Sequence, residues 1–489
     1  MMLLVIIVYC IVVGLLTVYG INCHILLSLF KRRVAECPKE DQQLLEQFYR
    51  ERDIQDFPFV TTQIPIYNEI NVAERIIDAV AAFDYPEGKH DIQVLDDSTD
   101  ETSLVIARKV KTLRAAGVRI EHIRRGTREG FKAGALKHGL ETARGELLTV
   151  FDADFVPPPD FLRKAAPFFV LEPKLALIQG RWGHLNRNQS IMTRLQAIGI
   201  DGHFMIEQSA RSWNNLFMNF NGTAGVFRKQ AVLDVGNWKA DTLTEDLDLS
   251  YRMQLAGWRC RYLIDLVAPA EIPANIYAFK SQQFRWAKGS MQTAIKLLPA
   301  IWRSRFSFFK KLQATLHLTH YIVHPLMVFV AVIVPTLLIN QRFSLSPVVL
   351  VLLGGLLGLS FFGPSRLYLT AQKHLQEGWS KRLLLLPLLM CFGCGLAINN
   401  TRAVLEAILG KKSEFIRTPK QGDGKRKPYK PVMTPFFLCE LALGGWCLSG
   451  VFLYLTATHY LIGYFLLLYA LGFLYVGAAS LLYWVKEVR

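Results

Sequence analysis

Hydrophobic positions are distributed very unevenly along this chain. Residues 1–30 form an almost uncharged apolar run, longer than the roughly 20 residues that one membrane-spanning helix requires. Lys31, Arg32 and Arg33 follow it at once, and no basic residue precedes it. A cleaved secretory signal carries its charge ahead of a shorter apolar stretch and ends in small residues. The pattern therefore predicts a retained anchor, and because basic residues stay on the cytoplasmic side, residue 31 is expected there. The C-terminal part has further apolar runs at about 316–340, 345–369, 383–400, 436–457 and 460–484. Residues 411–430, KKSEFIRTPKQGDGKRKPYK, carry eight Lys/Arg against two acids and are expected in the cytoplasm beside anionic lipid. Leaving the cytosol near 316 and returning by 411 takes an even number of crossings, yet three runs lie between. The weakest is 383–400, which holds Pro387 and ends in Asn399–Asn400; a short, re-entrant or interfacial segment is expected there.

Between the apolar ends the period changes. PFVTTQIPIY (58–67), DIQVLDDSTD (91–100), VRIEHIRR (118–125) and ELLTVFDADF (146–155) are short apolar or β-branched runs that predict strands. NVAERIIDAVAAF (71–83), SLVIARKVKTLRAAG (103–117) and FKAGALKHGLETA (131–143) show helical spacing. Strands alternating with helices predict a parallel α/β sheet, whose ligands bind beyond the carboxyl ends of the strands. Two strands place aspartates there, Asp96/Asp97 and Asp152/Asp154. The organisation expected is an anchor at 1–30, a cytoplasmic catalytic domain at 31–300, amphipathic interface helices at 287–313, membrane or interfacial helices at 314–410, a basic cytoplasmic loop at 411–434 and two spanning helices at 435–489.

Composition narrows the class. With 51% hydrophobic and 20% charged residues over 489 positions, the chain cannot be disordered, since disorder needs low hydrophobicity. The formal charge of +16 needs no nucleic acid to explain it, because much of it marks the cytoplasmic side, facing anionic lipid and an anionic substrate. Most of the eight cysteines lie in apolar runs, where a free thiol behaves as a small hydrophobe. Cys391-x-x-Cys394 has no second pair or histidines to complete a zinc site, and no disulfide framework is implied.

The candidate chemistry is carried by acids and by one cationic-aromatic cluster. Asp152-Ala-Asp154 puts two hard oxygen ligands on one turn, which suits Mg²⁺ or Mn²⁺ completed by water and substrate phosphate. Thr244-Glu245-Asp246 precedes an amphipathic helix; one acid there is explained by capping or the helix dipole, a pair less well, and a carboxylate in a sugar-lined cleft is a natural general base. Gln282-Gln283-Phe284-Arg285-Trp286 joins a guanidinium that fits a diphosphate to an indole that fits a sugar ring, although Arg and Trp are also common at membrane interfaces. GFKAGALKHG (130–139) is neither a P-loop nor a dinucleotide fingerprint, but Lys132 is placed to meet a phosphate.

Taken in order, P-x-Y-N-E, DDSTD, DADF, TEDLDLS and QQFRW resemble the processive family 2 glycosyltransferases of the cellulose synthase superfamily. GFKAGAL, ALIQGRWGHLN, MTRLQ and FNGTAGVFR sharpen the resemblance toward the cellulose-synthase-like A and C type and its bacterial relatives, which make mannan or glucan backbones. The likeness covers about residues 58–300. It implies an α/β GT-A (Rossmann-like) catalytic domain inserted between transmembrane helices, a nucleotide-sugar donor such as UDP-glucose or GDP-mannose, and inversion at the anomeric carbon. By motif, Asp97 would hold the nucleotide with Tyr67 and Glu69 near the base, and Lys132 would meet the donor phosphates. Asp152 and Asp154 would hold the diphosphate through the metal, and Asp246, beside Glu245, would be the base. Gln282, Arg285 and Trp286 would grip the diphosphate and the acceptor end. FIRTPK (415–420) is loosely similar to the gating loop of that family, with Arg417 and Pro419 departing from it. Phe284 also departs, standing where the plant relatives carry histidine, which leaves catalysis untouched and puts acceptor preference in question. The acceptor implied is a growing glycan within the bilayer, in the plasma (inner) membrane if the chain is bacterial, with the site facing the cytoplasm. Two rival readings are a single-addition enzyme acting on a membrane lipid, and a transporter with a nucleotide-sensing domain. Tyr321, Trp379, Trp446 and Tyr454 are candidate channel aromatics, and His317, His320 and His324 are too near run ends to favour a transporter.

Overall fold

The computed structural model describes residues 2–339, 347–375, 378–413, 422, 434–457 and 460–488. The four predicted strands are present as β1 (Val60–Ile66), β2 (His90–Asp96), β3 (Ile120–Arg124) and β4 (Leu147–Val150). Helices Ala73–Ala81, Thr102–Ala115 and Phe131–Thr142 connect them. β1 and β4 are buried along nearly their whole length, as expected for strands covered by helices on both faces. One face packs Ile64, Ile76, Ile106 and Phe161, the other Leu136, Leu140, Phe227 and Trp238.

Three further strands, β5 (Leu175–His184), β6 (Gly225–Arg228) and β7 (Arg259–Ala270), extend the sheet to seven in the order β3-β2-β1-β4-β6-β5-β7. The sheet is mixed, which corrects the all-parallel expectation: β6 runs antiparallel to both β4 and β5. The reversal is made in FNGTAGVFR, where Gly222 and Ala224 both adopt positive φ, at 83° and 55°. β1, β2 and β4 run out at the same edge, with Ile66 level with Asp96 and Gln63 level with Val150. Their exits, Tyr67, Asp97 and Asp152, therefore lie side by side.

Around this domain, helix Met2–Arg33 packs against Val323–Ile339 and Pro347–His374, and its residues Tyr9, Val13 and Leu16 share an apolar core with Val334, Cys447, Leu466 and Phe473 from the distant C-terminal helices. Its later residues Leu26, Leu27 and Phe30 dock on Phe204, Met205 and Tyr262 of the sheet-bearing domain. Among the described residues, three helices are long and apolar enough to cross a membrane: Ile7–Arg33, Phe437–Thr456 and Tyr460–Lys486. Ile7, Ile11, Leu15, Val18 and Ile21 leave an uncovered apolar stripe on the first of these. The run at 383–400 is a broken pair, Leu386–Gly395 and Ala397–Ile408, bent by 44°, and Phe308–Leu318 with His320–Thr336 is bent by 52°. In the basic segment 411–434, residues 414–421 and 423–433, including FIRTPK, lie outside the described residues.

The turn after β2 rests on Asp96, whose buried carboxylate meets the His122 ring and the Ser98 amide, both at 2.8 Å. Burial opposes its charge, but hydrogen bonds from His122, Ser103 and Ser98 outweigh it and hold the carboxyl at about 2. A depressed carboxyl stabilises the fold above its ordinary titration range and loses that contribution as pH falls through its folded value. Asp96→Asn is therefore expected to cost roughly 2 kcal/mol at neutral pH, and the gap to wild type should close between about pH 4 and pH 2, read as unfolding midpoints in detergent.

Candidate active site

All eleven sequence-predicted site residues line one cavity of about 170 Å³ at the carboxyl edge of the sheet: Tyr67, Glu69, Asp97, Lys132, Asp152, Asp154, Glu245, Asp246, Gln282, Arg285 and Trp286. They arrive from six places. Tyr67 and Glu69 follow β1, Asp97 follows β2, Lys132 opens the helix Phe131–Thr142, Asp152 and Asp154 follow β4, and the rest come from two helices after β6.

Strand ends fix the first group. The Asp97 amide donates to the Ile66 carbonyl at 3.0 Å, so the two exits are bonded together. Both Asp97 oxygens are held by Arg125, at 2.7 and 2.6 Å. Arg128 lies 3.4 Å above the Tyr67 ring. Sequence reading passed over Arg125 and Arg128; their signal was the run of cations in HIRRGTREG directly after a strand whose neighbours end in acids.

Lys132 is the electrostatic centre. Its Nζ donates to Asp152 Oδ1 at 2.5 Å and to the Gly222 carbonyl at 2.7 Å. Burial works against its charge, but Asp152, Glu245 and Asp246 outweigh this and raise its pKa. Gly222 brings the reversed chain against the same group: a Cβ there would lie 3.2 Å from Asp246 Oδ2, at a φ that L side chains avoid.

Helix Glu245–Leu255 begins with three acids that divide their work. Asp248 bonds Arg252 at 2.7 Å and Lys296 at 2.7 Å, and so serves the fold. Glu245 and Asp246 line the cavity instead. Burial and the neighbouring Glu245 push the Asp246 carboxyl up to about 7, and burial raises Glu245 as well. Arg285 is lowered by burial against the pull of Glu245, Asp152, Asp246 and Asp154. The pair thus offers a proton acceptor poised near neutrality beside two half-buried cations able to receive an anion.

Asp152 and Asp154 present hard oxygens, and among the described residues no group of three or more His, Cys, Asp or Glu is arranged to hold a metal. That set suits Mg²⁺ or Mn²⁺, which keep their waters and take the remaining ligands from a phosphate, and does not suit a caged structural ion.

A second cavity, of about 570 Å³, adjoins the first. Trp182, Asn221, Thr244, Asp246 and Trp286 line both. Near this shared wall, the π-helical turn His203–Gln208 presents His203 and Glu207, which bond each other at 2.9 Å. Farther in, the lining comes from the apolar helices: His317, His320, Tyr321 and His324, then Val330, Val334, Phe465 and Leu466. The three histidines, three and four residues apart in sequence, thus share one wall. Of the four candidate channel aromatics only Tyr321 lines this cavity; Tyr454 and Trp446 donate to the carbonyls of Val334 and Val332, and Trp379 lies under Lys373. Phe284 lines neither cavity and sits beneath Arg402 at 4.4 Å, so this departure from the family motif faces the C-terminal helices and not the site.

Comparison with known proteins speaks to the family and the fold. Residues 58–289 match the family described as Glycosyltransferase like family 2. Probable glucomannan 4-beta-mannosyltransferase 9 of Oryza sativa subsp. japonica is 34% identical over 385 residues, covering 75% of this chain and 69% of its own. Probable glucomannan 4-beta-mannosyltransferase 15 of Arabidopsis thaliana is 37% identical over 320 residues, covering 63% of this chain and 58% of its own. Glucomannan 4-beta-mannosyltransferase 7 of Arabidopsis thaliana is 41% identical over 279 residues, 54% of this chain and 50% of its own. The chain thus spans half to about two thirds of the length of these relatives. Among solved structures, a mannosyltransferase from Pyrobaculum calidifontis in complex with GDP-Man and Mn²⁺ superposes with a TM-score of 0.52 at 19% identity, covering 81% of this chain and all of that one, a likeness of fold. With a mixed seven-stranded GT-A-like sheet and these matches, the chain belongs to the family 2 glycosyltransferases and resembles the cellulose-synthase-like glucomannan mannosyltransferases among them.

Proposed function

We propose that this chain is a membrane-integrated, inverting hexosyltransferase that extends a β-linked, mannan-type polysaccharide from a nucleoside diphosphate sugar, GDP-mannose first among the candidates. The names of its relatives favour mannose as the sugar. The observation that carries the reading is the shared wall: Asp246 and Trp286 border both the cavity that gathers the cations and acids and the larger one that runs among the apolar helices. A donor in the first and an acceptor end in the second would meet at Asp246.

In this mechanism Asp246 takes the proton from an acceptor hydroxyl, and the freed oxygen attacks C1 of an α-linked donor, giving a β-linkage. Lys132 and Arg285 receive the negative charge that develops on the departing diphosphate, an interaction that strengthens along the reaction and so lowers the barrier. Asp152 and Asp154 would hold Mg²⁺ or Mn²⁺, which supplies further charge neutralisation at the diphosphate. Trp286 offers an indole face to the acceptor sugar, Gln282 orients it, and Tyr67, Glu69 and Asp97 flank the nucleotide. The site faces the cytoplasm, where the donor is found and where the basic segment is placed by its charge. The product leaves across the membrane through the second cavity. A transfer to a membrane lipid is the second reading, favoured by the aliphatic lining at the deep end, Val330, Val334 and Leu466.

Incubating membranes with GDP-mannose, UDP-glucose and UDP-N-acetylglucosamine, each with Mg²⁺ or Mn²⁺, should yield a size-heterogeneous polymer from GDP-mannose and none after chelation. A single-sugar product extractable into solvent would replace the polymer reading with the lipid one. Asp246→Asn should lower turnover by about 10²- to 10⁴-fold, the usual contribution of a general base, while GDP binding by calorimetry stays within a few-fold. Because burial raises the Asp246 carboxyl to about 7, it is protonated and unable to accept a proton below that value. The pH profile of kcat/KM should therefore rise through about pH 7, falling about tenfold per unit on the acid side.

A further inference from the structure

Helix Ile276–Arg303 presents two faces with opposite duties. On one, Gln282, Arg285 and Trp286 line the cavity, and the next turns grip the segment that carries Asp246. The Leu243 amide donates to Gln292 Oε1 at 2.9 Å, and the Thr244 and Thr293 hydroxyls lie 3.4 Å apart. Gly289 permits this approach, since a Cβ there would come within 2.5 Å of Thr244 Cγ2. The helix and the Thr244-Glu245-Asp246 segment thus move together.

The other face is the stripe Lys280, Phe284, Lys288, spaced four residues apart and therefore in line. Lys280 Nζ donates to Glu440 Oε1 at 2.5 Å, and Asn399 Nδ2 donates to the Lys280 carbonyl at 2.9 Å. Lys288 Nζ donates to Glu406 Oε2 at 2.8 Å and also bonds Ser413. Arg402 covers Phe284 between them. Lys280 and Lys288 are 6% and 0% exposed, and Glu440 is 0% exposed. Glu440 Oε2 is buried with no hydrogen-bond partner among the described groups. Such a pair is a poor device for stability, because desolvation consumes the Coulombic gain, and apolar residues would serve as well. What directional buried pairs do supply is a single register. A slip of one residue is about 1.5 Å along the helix, enough to break both pairs, and a misplacement of about 1 Å costs on the order of 10²-fold in rate.

We infer that Lys280–Glu440 and Lys288–Glu406 are positioning pairs: they set the axial register of the Gln282–Trp286 segment, and through Gly289 and Gln292 the placement of Asp246, against the C-terminal helices. This rests on the sugar-transfer reading. The pairs touch no substrate; they act through the helix.

The test uses the full-length protein. Lys280→Met with Glu440→Leu replaces the first pair by apolar groups of similar volume, a change that buried sites tolerate. The expected result is an unfolding midpoint and GDP affinity near wild type, at least about tenfold faster hydrogen–deuterium exchange in residues 241–248, and kcat lowered by about 10- to 100-fold with donor KM within threefold. The charge-exchanged variant Lys280→Glu with Glu440→Lys should recover the exchange protection. Wild-type protection and wild-type kcat in the apolar variant overturn the inference, as does a fall in kcat with exchange unchanged. Should the apolar variant fail to fold, Lys288→Met with Glu406→Leu, which removes the second pair, decides: loosened exchange at 241–248 supports the role and wild-type protection overturns it. Absence of sugar transfer by the wild type would instead remove the functional reading, while the exchange measurement still reports on the pairs.

Discussion

Asp152, Glu245 and Asp246 are held in one small cavity partly withdrawn from water, and that arrangement is tolerable only because Lys132 and Arg285 are half-buried beside them. Isolated buried charges of either sign are costly enough to neutralise or to unfold their surroundings. Here each sign is the solvation shell of the other, and the geometry that results is constrained on every side. Lys132 has to reach both Asp152 and the Gly222 carbonyl, so the helix after β3 and the reversed chain before β6 must meet. Arg285 has to enter from a helix rooted outside the sheet. The balance is also incomplete by design of the site: the carboxyl of Asp246 remains raised, which leaves a group ready to accept a proton near neutral pH.

This centre lies at the seam between two kinds of core. On one side is the sheet with its helical layers; on the other are helices whose apolar surface is partly buried against one another and partly uncovered. Helix Ile276–Arg303 belongs to both. It carries the cationic and aromatic motif into the cavity, packs on helices Ala397–Ile408 and Tyr460–Val488, and reaches helix Phe437–Thr456 through the Lys280–Glu440 pair. The weak apolar run at 383–400, difficult to place as a span, thus has a structural use: its bend turns Asn399, Arg402 and Glu406 toward the catalytic helix.

Much of this was legible along the chain. Strand and helix periods marked β1 to β4 and their connecting helices, and the acids at the strand ends marked the edge where ligands bind, because a strand buried on both faces admits charged groups only where it ends. The candidate residues were legible for a similar reason: clusters of acids or cations that no surface pattern requires stand out against an apolar background. β5, β6 and β7 were less so. β6 is four residues long and its direction depends on two positive-φ residues, a conformational choice that hydrophobic period does not encode. Arg125 and Arg128 were hidden among ordinary surface cations, and Phe284, read as bearing on acceptor preference, is turned by the helix phase away from both cavities.

The sequence by itself determined the class of the protein, the two compositional regions, the edge of the sheet where ligands are expected, and the candidate residues that gather there. These follow from local rules, periodicity and the cost of burying charge, that act within about one element at a time. Only the tertiary structure decided that eleven residues from six segments share a cavity, that Asp246 and Trp286 border a second one among the apolar helices, and that Lys280 and Lys288 are tied to Glu440 and Glu406 across more than a hundred positions of chain. Those facts depend on how elements pack, and packing is settled by the whole set of contacts together, so no single stretch of sequence contains them.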